Sequence, residues 1–315
     1  MATANFAGNE QQNTFKQLLC SAGLTDKLRG QLRFISVLNS LLSVSAFLGN
    51  SLILIALHKA SSLHPSSKLF LRCLATTDLC FGLISGPLYV TCLISVLKEH
   101  LNMCRYISVA GLITGNVLCS VSLLTLSAIS VDRLLALLLR LRYRQVVTLN
   151  RVSVLVITFW LVSTIFSSMY FLNPLITFWY GTIGIPLGLI TSIFCYTKIF
   201  FTLRNHENQV QDHVQQPNQT NQLNIARYKK AVSTAIWLQL TLVACYLPLG
   251  IATALATIRG RPLSADNAWY YTVTLAYLNS SLNPILYCWK IEEVRQAVQE
   301  TIRQVLCHCF LTQML

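Results

Sequence analysis

The sequence predicts an all-α membrane protein: a seven-transmembrane helix bundle followed by a short amphipathic eighth helix at the inner membrane face. Three observations carry that prediction. The 315 residues are 54% hydrophobic and only 11% charged, with mean hydropathy +0.54, far more apolar than a soluble domain of this length. The apolar residues fall in blocks long enough to cross a hydrocarbon layer of about 30 Å, which takes about 20 helical residues. The lysines and arginines crowd into alternate loops, as they do when a chain threads a membrane.

Taken in order, helix one spans about 32–57 on the charge-free run Phe34–Leu57. Helix two, about 69–97, includes Cys73–Leu97, whose single charge is Asp78. Helix three, about 105–137, holds the charge-free run Tyr106–Val131. Between Arg151 and Lys198 no residue is charged. One helix over that stretch would be about 70 Å long, so it must break, and Asn173-Pro174 supplies the break because proline disfavours helix in the residue before it. Helices four (about 152–172) and five (about 177–203) result, joined by about half a dozen residues near Asn173–Thr177. Ala231–Ile258 and Asn267–Trp289 give helices six (about 228–258) and seven (about 267–289). Lys290–Phe310 places Ile291, Val294, Val298, Ile302, Val305 and Leu306 at helical spacing, the pattern of a helix lying in the interface.

The organisation is therefore an extracellular N-terminal segment (1–31), a seven-transmembrane domain (32–289), and helix eight with a cytoplasmic tail (290–315). The first 31 residues lack an apolar signal core, and no cleavable signal peptide is read there. The third inner loop, about 204–227, is polar and rich in Gln and Asn. With the N-terminus outside, 16 of the 24 basic residues face the cytoplasm, which selects a multi-pass plasma-membrane orientation. The net charge of +13 is scattered over four loops and reads as topology and attraction to anionic lipid, not nucleic-acid binding.

The residues with chemical potential are few. An acid inside a membrane is costly and rarely kept without a task; Asp78 is the one mid-span acid, with Asn50, Ser122, Asn279, Ser280 and Asn283 as polar candidates nearby. Such a set suits either a small cation or a protonated, hydrogen-bonded carboxyl. Asp132-Arg133 ends helix three and is followed by Leu141-Arg142-Tyr143-Arg144; the adjacent pair can bind itself in a closed bundle and release the arginine in an open one. Asn283-Pro284-Ile285-Leu286-Tyr287 in helix seven and Cys245-Tyr246-Leu247-Pro248 in helix six place a kink in each. Cys20 and Cys104 are the candidate outward-facing disulfide, and Cys307 and Cys309 after the amphipathic helix are candidate palmitoylation sites. No metal beyond a small cation, and no other cofactor, is called for.

Gly49-Asn50, Leu-Ala-x-x-Asp ending at Asp78, Asp132-Arg133, Trp160, Cys245-x-x-Pro248 and Asn283-Pro284-x-x-Tyr287 occur in order, one per span. Together they resemble the class A, rhodopsin-like G-protein-coupled receptors over about 32–310. That resemblance implies a receptor domain, coupling to a heterotrimeric G protein by opening of helices six and seven, and no enzymatic activity. It further implies an allosteric sodium pocket lined by Asp78, Ser122, Asn279 and Asn283, and an inner switch of Asp132, Arg133, Tyr196 and Tyr287. A short second outer loop without cysteine, with Leu-Arg-Tyr in the second inner loop, is similar to the melanocortin, adenosine, cannabinoid and lysolipid receptors.

Several positions depart from the family pattern: Ser108 for the helix-three cysteine, Leu134 for the tyrosine after Arg133, Gly188 for the helix-five proline, and Leu242 and Tyr246 for the helix-six aromatic pair. Ligand residues of the relatives do not carry over. The melanocortin acids fall at Leu88, Ser108 and Leu112, the adenosine-reading Asn at Thr253, the aminergic Asp at Gly115 and the retinal Lys at Tyr277. The implied pocket of Gly115, Asn116, Cys119, Tyr246, Thr253, Trp269 and Tyr277 is uncharged and suits a lipid, with a peptide second. The competing readings are a receptor fold that serves as a non-signalling or constitutively active scaffold, and a small-solute transporter, for which one intramembrane acid is a poor endowment.

Overall fold

The computed structural model describes residues 26–59, 64–139, 142–212, 233, 236–237, 239–252, 254–255 and 268–313. They form α1 (Asp26–Lys59), α2 (Pro65–Leu97), α3 (Leu101–Leu139), α4 (Leu149–Ser168), α5 (Pro174–Asp212), α6 (Gln239–Ala252), α7 (Ala268–Lys290) and α8 (Glu292–Gln313). Among the described residues there is no strand. The first five helices are each long and apolar enough to cross a bilayer; α7, at 23 residues, rises about 35 Å.

The helices are longer than the apolar runs that announce them. α4 continues as a tighter turn over Met169–Phe171, and Pro174 already stands at the start of α5, where its missing N–H costs nothing. The connection is therefore Leu172 and Asn173, shorter than the sequence suggests, with both backbone N–H groups donating to Met169 O at 3.0 and 2.8 Å. α5 runs on to Asp212, into the segment read as a polar loop, because Arg204–Asp212 holds neither proline nor glycine to stop it.

Small residues bring backbones together, as membrane helices require. Gly49 faces Pro284, whose Cγ would lie 3.0 Å from a Cβ at that position, so α1 closes on the kink of α7. A polar seam continues that contact: Asn39 Nδ2 donates to Thr274 Oγ1 (2.9 Å), Asn50 Nδ2 to Ser280 O (3.0 Å) and Ser281 Oγ to Leu42 O (2.9 Å). α2 widens into one π-turn over Phe81–Ser85, beside α1. There a Cβ on Gly82 would stand 2.6 Å from both Phe47 N and Ser43 O. Backbone atoms cannot step aside, so Gly82→Ala is expected to destabilise by about 1–3 kcal/mol, outweighing the ~1 kcal/mol gain in helix propensity. A lowered melting temperature in detergent checks this; an unchanged one would contradict the close approach.

The main core joins α1, α2, α3, α6, α7 and α8 through Ile53, Leu74, Leu126, Leu242, Tyr287 and Val294. A second cluster at the other end joins Leu32, Ile35, Leu93, Cys104 and Tyr270. Large apolar side chains such as Phe34, Ile157, Ile190 and Phe194 point outward, the arrangement expected where the surroundings are hydrocarbon. α8 lays Val294, Ala297 and Val298 on the bundle, and Lys59 Nζ at the end of α1 donates to its Gln304 Oε1 at 2.6 Å.

Candidate functional site

Three polar or cavity regions lie along the bundle axis. Toward one end of α3, which runs on to Leu139, stands the Asp132–Arg133 pair. Asp132 is 4% exposed, and its Oδ2 stands 3.8 Å from Arg133 Nη2. That pair is long, because both partners are held elsewhere. Arg133 Nη2 donates to Ser67 Oγ of α2 at 2.6 Å, and Tyr143 OH donates to Asp132 Oδ1 at 2.7 Å. Tyr143 belongs to a single helical turn, Tyr143–Val146, and burial together with the Asp132 carboxylate pushes its phenol well above the ordinary range. It remains a donor. Ser67 was not singled out by sequence; only its position beside the polar start of α2 hints at it. Tyr143 sits in the Leu-Arg-Tyr segment already noted, but nothing in the spacing named Asp132 as its partner.

The other two switch residues are close by but differently engaged. Tyr196 of α5 accepts a hydrogen bond from Ser130 Oγ at 3.0 Å, one turn before the pair. Tyr287 is 1% exposed within the main core. At the same end Lys290 Nζ lies 3.7 Å from the Trp289 ring centroid and 4.9 Å from that of Trp237, and the two indoles are 5.6 Å apart. This contact clasps Trp237, two residues before α6, to the end of α7.

Midway along the bundle, Asp78 is fully buried. Asn283 Nδ2 donates to its Oδ2 at 2.7 Å, so the asparagine before the α7 proline faces α2. Ser122 does not reach the carboxylate; its hydroxyl pairs with Thr77 Oγ1 at 2.8 Å. Asp78 Oδ1, Asn50 Oδ1, Asn279 Oδ1, Ser280 Oγ and Asn283 Oδ1 are all buried oxygens without a hydrogen-bond partner among the described residues. One carboxylate among neutral oxygens is a donor set for a hard, singly charged cation. No group of three His, Cys, Asp or Glu side chains occurs among the described residues, as a transition metal would want.

Above that level, the Cys119 thiol of α3 faces the Tyr246 phenol of α6. Gly115 and Asn116 stand one turn further along α3 and are half-buried. Tyr277 of α7 is fixed rather than free: its hydroxyl meets Ser85 Oγ at 2.9 Å, and its ring stacks on Tyr89 at 5.4 Å with the Phe81 edge at 5.5 Å. Trp269 packs instead against the second apolar cluster, with Tyr89 and Leu97. Thr253 lies outside the described residues. The structure thus sets Cys119 beside Tyr246 and Trp269 at the edge of a cluster whose Tyr89 stacks on Tyr277.

The profile of the family described as 7 transmembrane receptor (rhodopsin family) matches residues 49–180 and 172–287, a range that contains all three regions. The chain belongs to that family. It is a G-protein-coupled receptor, a multi-pass protein of the plasma membrane that signals through heterotrimeric G proteins, and it is not an enzyme. Among similar proteins are the adenosine receptor A2b of Gallus gallus, 23% identical over 86% of this chain and 88% of its own. The adenosine receptor A3 of Canis lupus familiaris is 27% identical over 81% and 86%, and that of Ovis aries 26% identical over 87% and 89%.

The receptor fills its departures from the family pattern with local contacts. Ser108 turns its hydroxyl onto Arg105 O of its own helix at 3.0 Å. Gly188 lets α5 approach Leu123, whose Cγ would be 2.9 Å from a Cβ there. Leu242 and Tyr246 are 0% and 2% exposed, so the two altered α6 positions pack the core. Cys104 is half of a disulfide; Cys20 lies outside the described residues, as do the side chains of Cys307 and Cys309. Cys73, Cys80, Cys92, Cys119, Cys195, Cys245 and Cys288 are free thiols.

Proposed function

We propose that the receptor sits with its N-terminus outside and Arg133 at the cytosolic face, and that it signals by swinging the Arg133 ends of α6 and α7 away from α3. The observation that carries this reading is the set of contacts tying Arg133 to Ser67 and Asp132 and α6 to α7. The ties on Arg133 must break before a cytosolic protein can bind the guanidinium, and the contact between α6 and α7 must loosen for the two helices to move apart. A hydrogen bond to a charged group contributes about 1.5–3 kcal/mol and a cation–π contact about 0.5–2 kcal/mol. Differential ligand binding of a few kcal/mol can overcome that total. Lys290→Ala is expected to raise ligand-independent signalling severalfold, read as cAMP or calcium at matched surface expression; unchanged basal signal would remove the clasp from the mechanism.

The ligand enters the bundle at the level of Gly115, Asn116, Cys119, Tyr246 and Tyr277, where the family resemblance also sets Thr253 and Trp269, and it is neutral and largely apolar. No lysine, arginine or carboxylate occupies those positions, which disfavours an ammonium or carboxylate ligand. A lipid fits best and a peptide second. The relatives named adenosine receptors make a nucleoside the natural comparison, yet the chain offers Thr253, a single hydroxyl, where an amide would read the base. A panel of neutral lipids, peptides and adenosine, scored by G-protein dissociation in cells, decides. A lipid response removed by Gly115→Phe supports the reading; a response to adenosine alone, unaffected by that substitution, overturns it.

Around this core, a sodium ion would be held by Asp78 with the buried oxygens of Asn279 and Asn283 and supply a charge balance that favours the closed bundle. Ser122 supports it through Thr77. Cys20 is the partner of Cys104, anchoring the N-terminal segment to the start of α3 in place of the family's second-loop disulfide. Acyl chains on Cys307 and Cys309 would hold the end of α8 in the membrane.

A further inference from the structure

We propose that a lateral groove between α3, α4 and α5 binds one molecule of phosphatidylethanolamine, with its phosphate on Arg151 and its ammonium at Asp132. The groove has a volume of about 980 Å³ and opens sideways from the bundle. It runs from Val146 and Arg151 at the Arg133 end to Phe166 and Trp179 near the opposite end of α4 and α5. Along α4 that is a rise of about 22 Å, more than one leaflet of a hydrocarbon core of about 30 Å. None of Gly115, Asn116, Cys119, Tyr246 or Tyr277 lines it, so it is separate from the proposed ligand cavity.

Small side chains create the space. Ala128 on α3 and Gly184 on α5 line it, a Cβ on Gly184 would meet nothing within 4 Å, and the groove is floored where Ser127 Oγ donates to Gly188 O at 3.3 Å. Apolar walls without partner atoms forfeit dispersion contacts, and a lipid chain restores them. The commitment to a phospholipid comes from the Arg133 end, the one strongly charged part of the lining. Arg151 is exposed, donates Nη1 to Val146 O at 2.8 Å, and makes no ion pair with a carboxylate among the described residues. A guanidinium at headgroup depth presents its remaining donors in the fork that suits a phosphate.

Asp132 lines the same groove and is 4% exposed. Tyr143 occupies its Oδ1, while Oδ2 has no hydrogen bond and holds only the long ion pair to Arg133 Nη2 at 3.8 Å. One cation and one anion at the mouth match a zwitterion whose ammonium carries N–H donors. Phosphatidylcholine has the phosphate but no N–H; phosphatidylglycerol lacks the ammonium; phosphatidylserine would bring a second carboxylate toward Asp132; a sterol offers neither charge. An ammonium at Asp132 would also compete with Arg133 for that carboxylate, which couples the groove to the switch.

The full receptor, purified in detergent and incubated with equal amounts of the ethanolamine, choline, glycerol and serine lipids, should retain one phosphatidylethanolamine by native mass spectrometry. Retention should exceed that of phosphatidylcholine by about tenfold, the fold-change that one charge-assisted hydrogen bond carries. Gly184→Phe, which fills open space, should remove the bound lipid; Arg151→Gln, which removes the phosphate's partner, should lower retention of the ethanolamine and choline lipids alike, and Asp132→Asn should erase the preference between them. Leu155→Trp fills the groove from α4 and serves if Gly184→Phe does not fold. Equal retention of the four lipids, an unaltered lipid count in both groove-filling variants, or a second copy of the receptor in place of lipid would each overturn the proposal.

Discussion

Arg133→Ala is expected to abolish G-protein activation while leaving the receptor folded and at the cell surface. The guanidinium is half-buried at the end of α3 and bonded to Ser67 across the α2 interface, so truncation removes a tie that holds the bundle closed. A merely structural role would therefore give higher basal signalling. The coupling role gives the opposite sign, since the same group is what the cytosolic partner meets, and losing one charge-assisted bond there lowers affinity by more than about tenfold. Ser67→Ala separates the two roles. It loosens the closed state without touching the coupling group and should raise basal signalling by about tenfold or more. Measured together as G-protein dissociation at matched surface expression, the two variants must move in opposite directions. Two increases would leave Arg133 as a packing residue.

The second large effect is expected at Asp78. A charged side chain at membrane depth costs several kcal/mol unless it is compensated, and what reaches this carboxylate is neutral: Asn283 Nδ2 donates to it at 2.7 Å. On the proposed reading, sodium held by the neighbouring oxygens is the compensating group. At a sodium concentration about 100-fold above its Kd, linkage adds ~2.7 kcal/mol to stability. The purified receptor should therefore melt at a higher temperature in sodium chloride than in choline chloride. Asp78→Asn keeps the shape and removes the charge, so its melting temperature should be the same in both salts. A wild-type receptor indifferent to sodium would show that the carboxyl is neutral and only joins α2 to α7.

These contacts separate what the sequence disclosed from what it did not. Spans and their order were legible because an apolar run of membrane length has few alternative structures, and because Asp78, Asp132-Arg133 and Asn283-Pro284 stand out against apolar surroundings. Helix ends were not. α5 continues to Asp212 on polar residues that obey helix propensity rather than hydropathy, and α4 closes on α5 through two residues. Pairings between helices were also hidden. Serine is common in these spans, so nothing marked Ser67 as the partner of Arg133, Ser85 as the partner of Tyr277, or Thr77 as the intermediary that keeps Ser122 from Asp78. Position alone suggested Trp269 for the ligand site, and nothing in the sequence showed that it also borders the second apolar cluster.

The central claim is that the Arg133 end of the bundle opens. Spin labels at Leu138→Cys on α3 and Leu240→Cys on α6 test it most directly. Both positions are exposed, at 58% and 54%, and the other reactive cysteines can be replaced. Pulsed electron-resonance distances in nanodiscs, recorded with and without a nucleotide-free heterotrimeric G protein, should shift by several ångströms toward longer separation, and Arg133→Ala should remove the shift. A distance distribution unchanged by the G protein, in a receptor shown to bind it, would contradict the account.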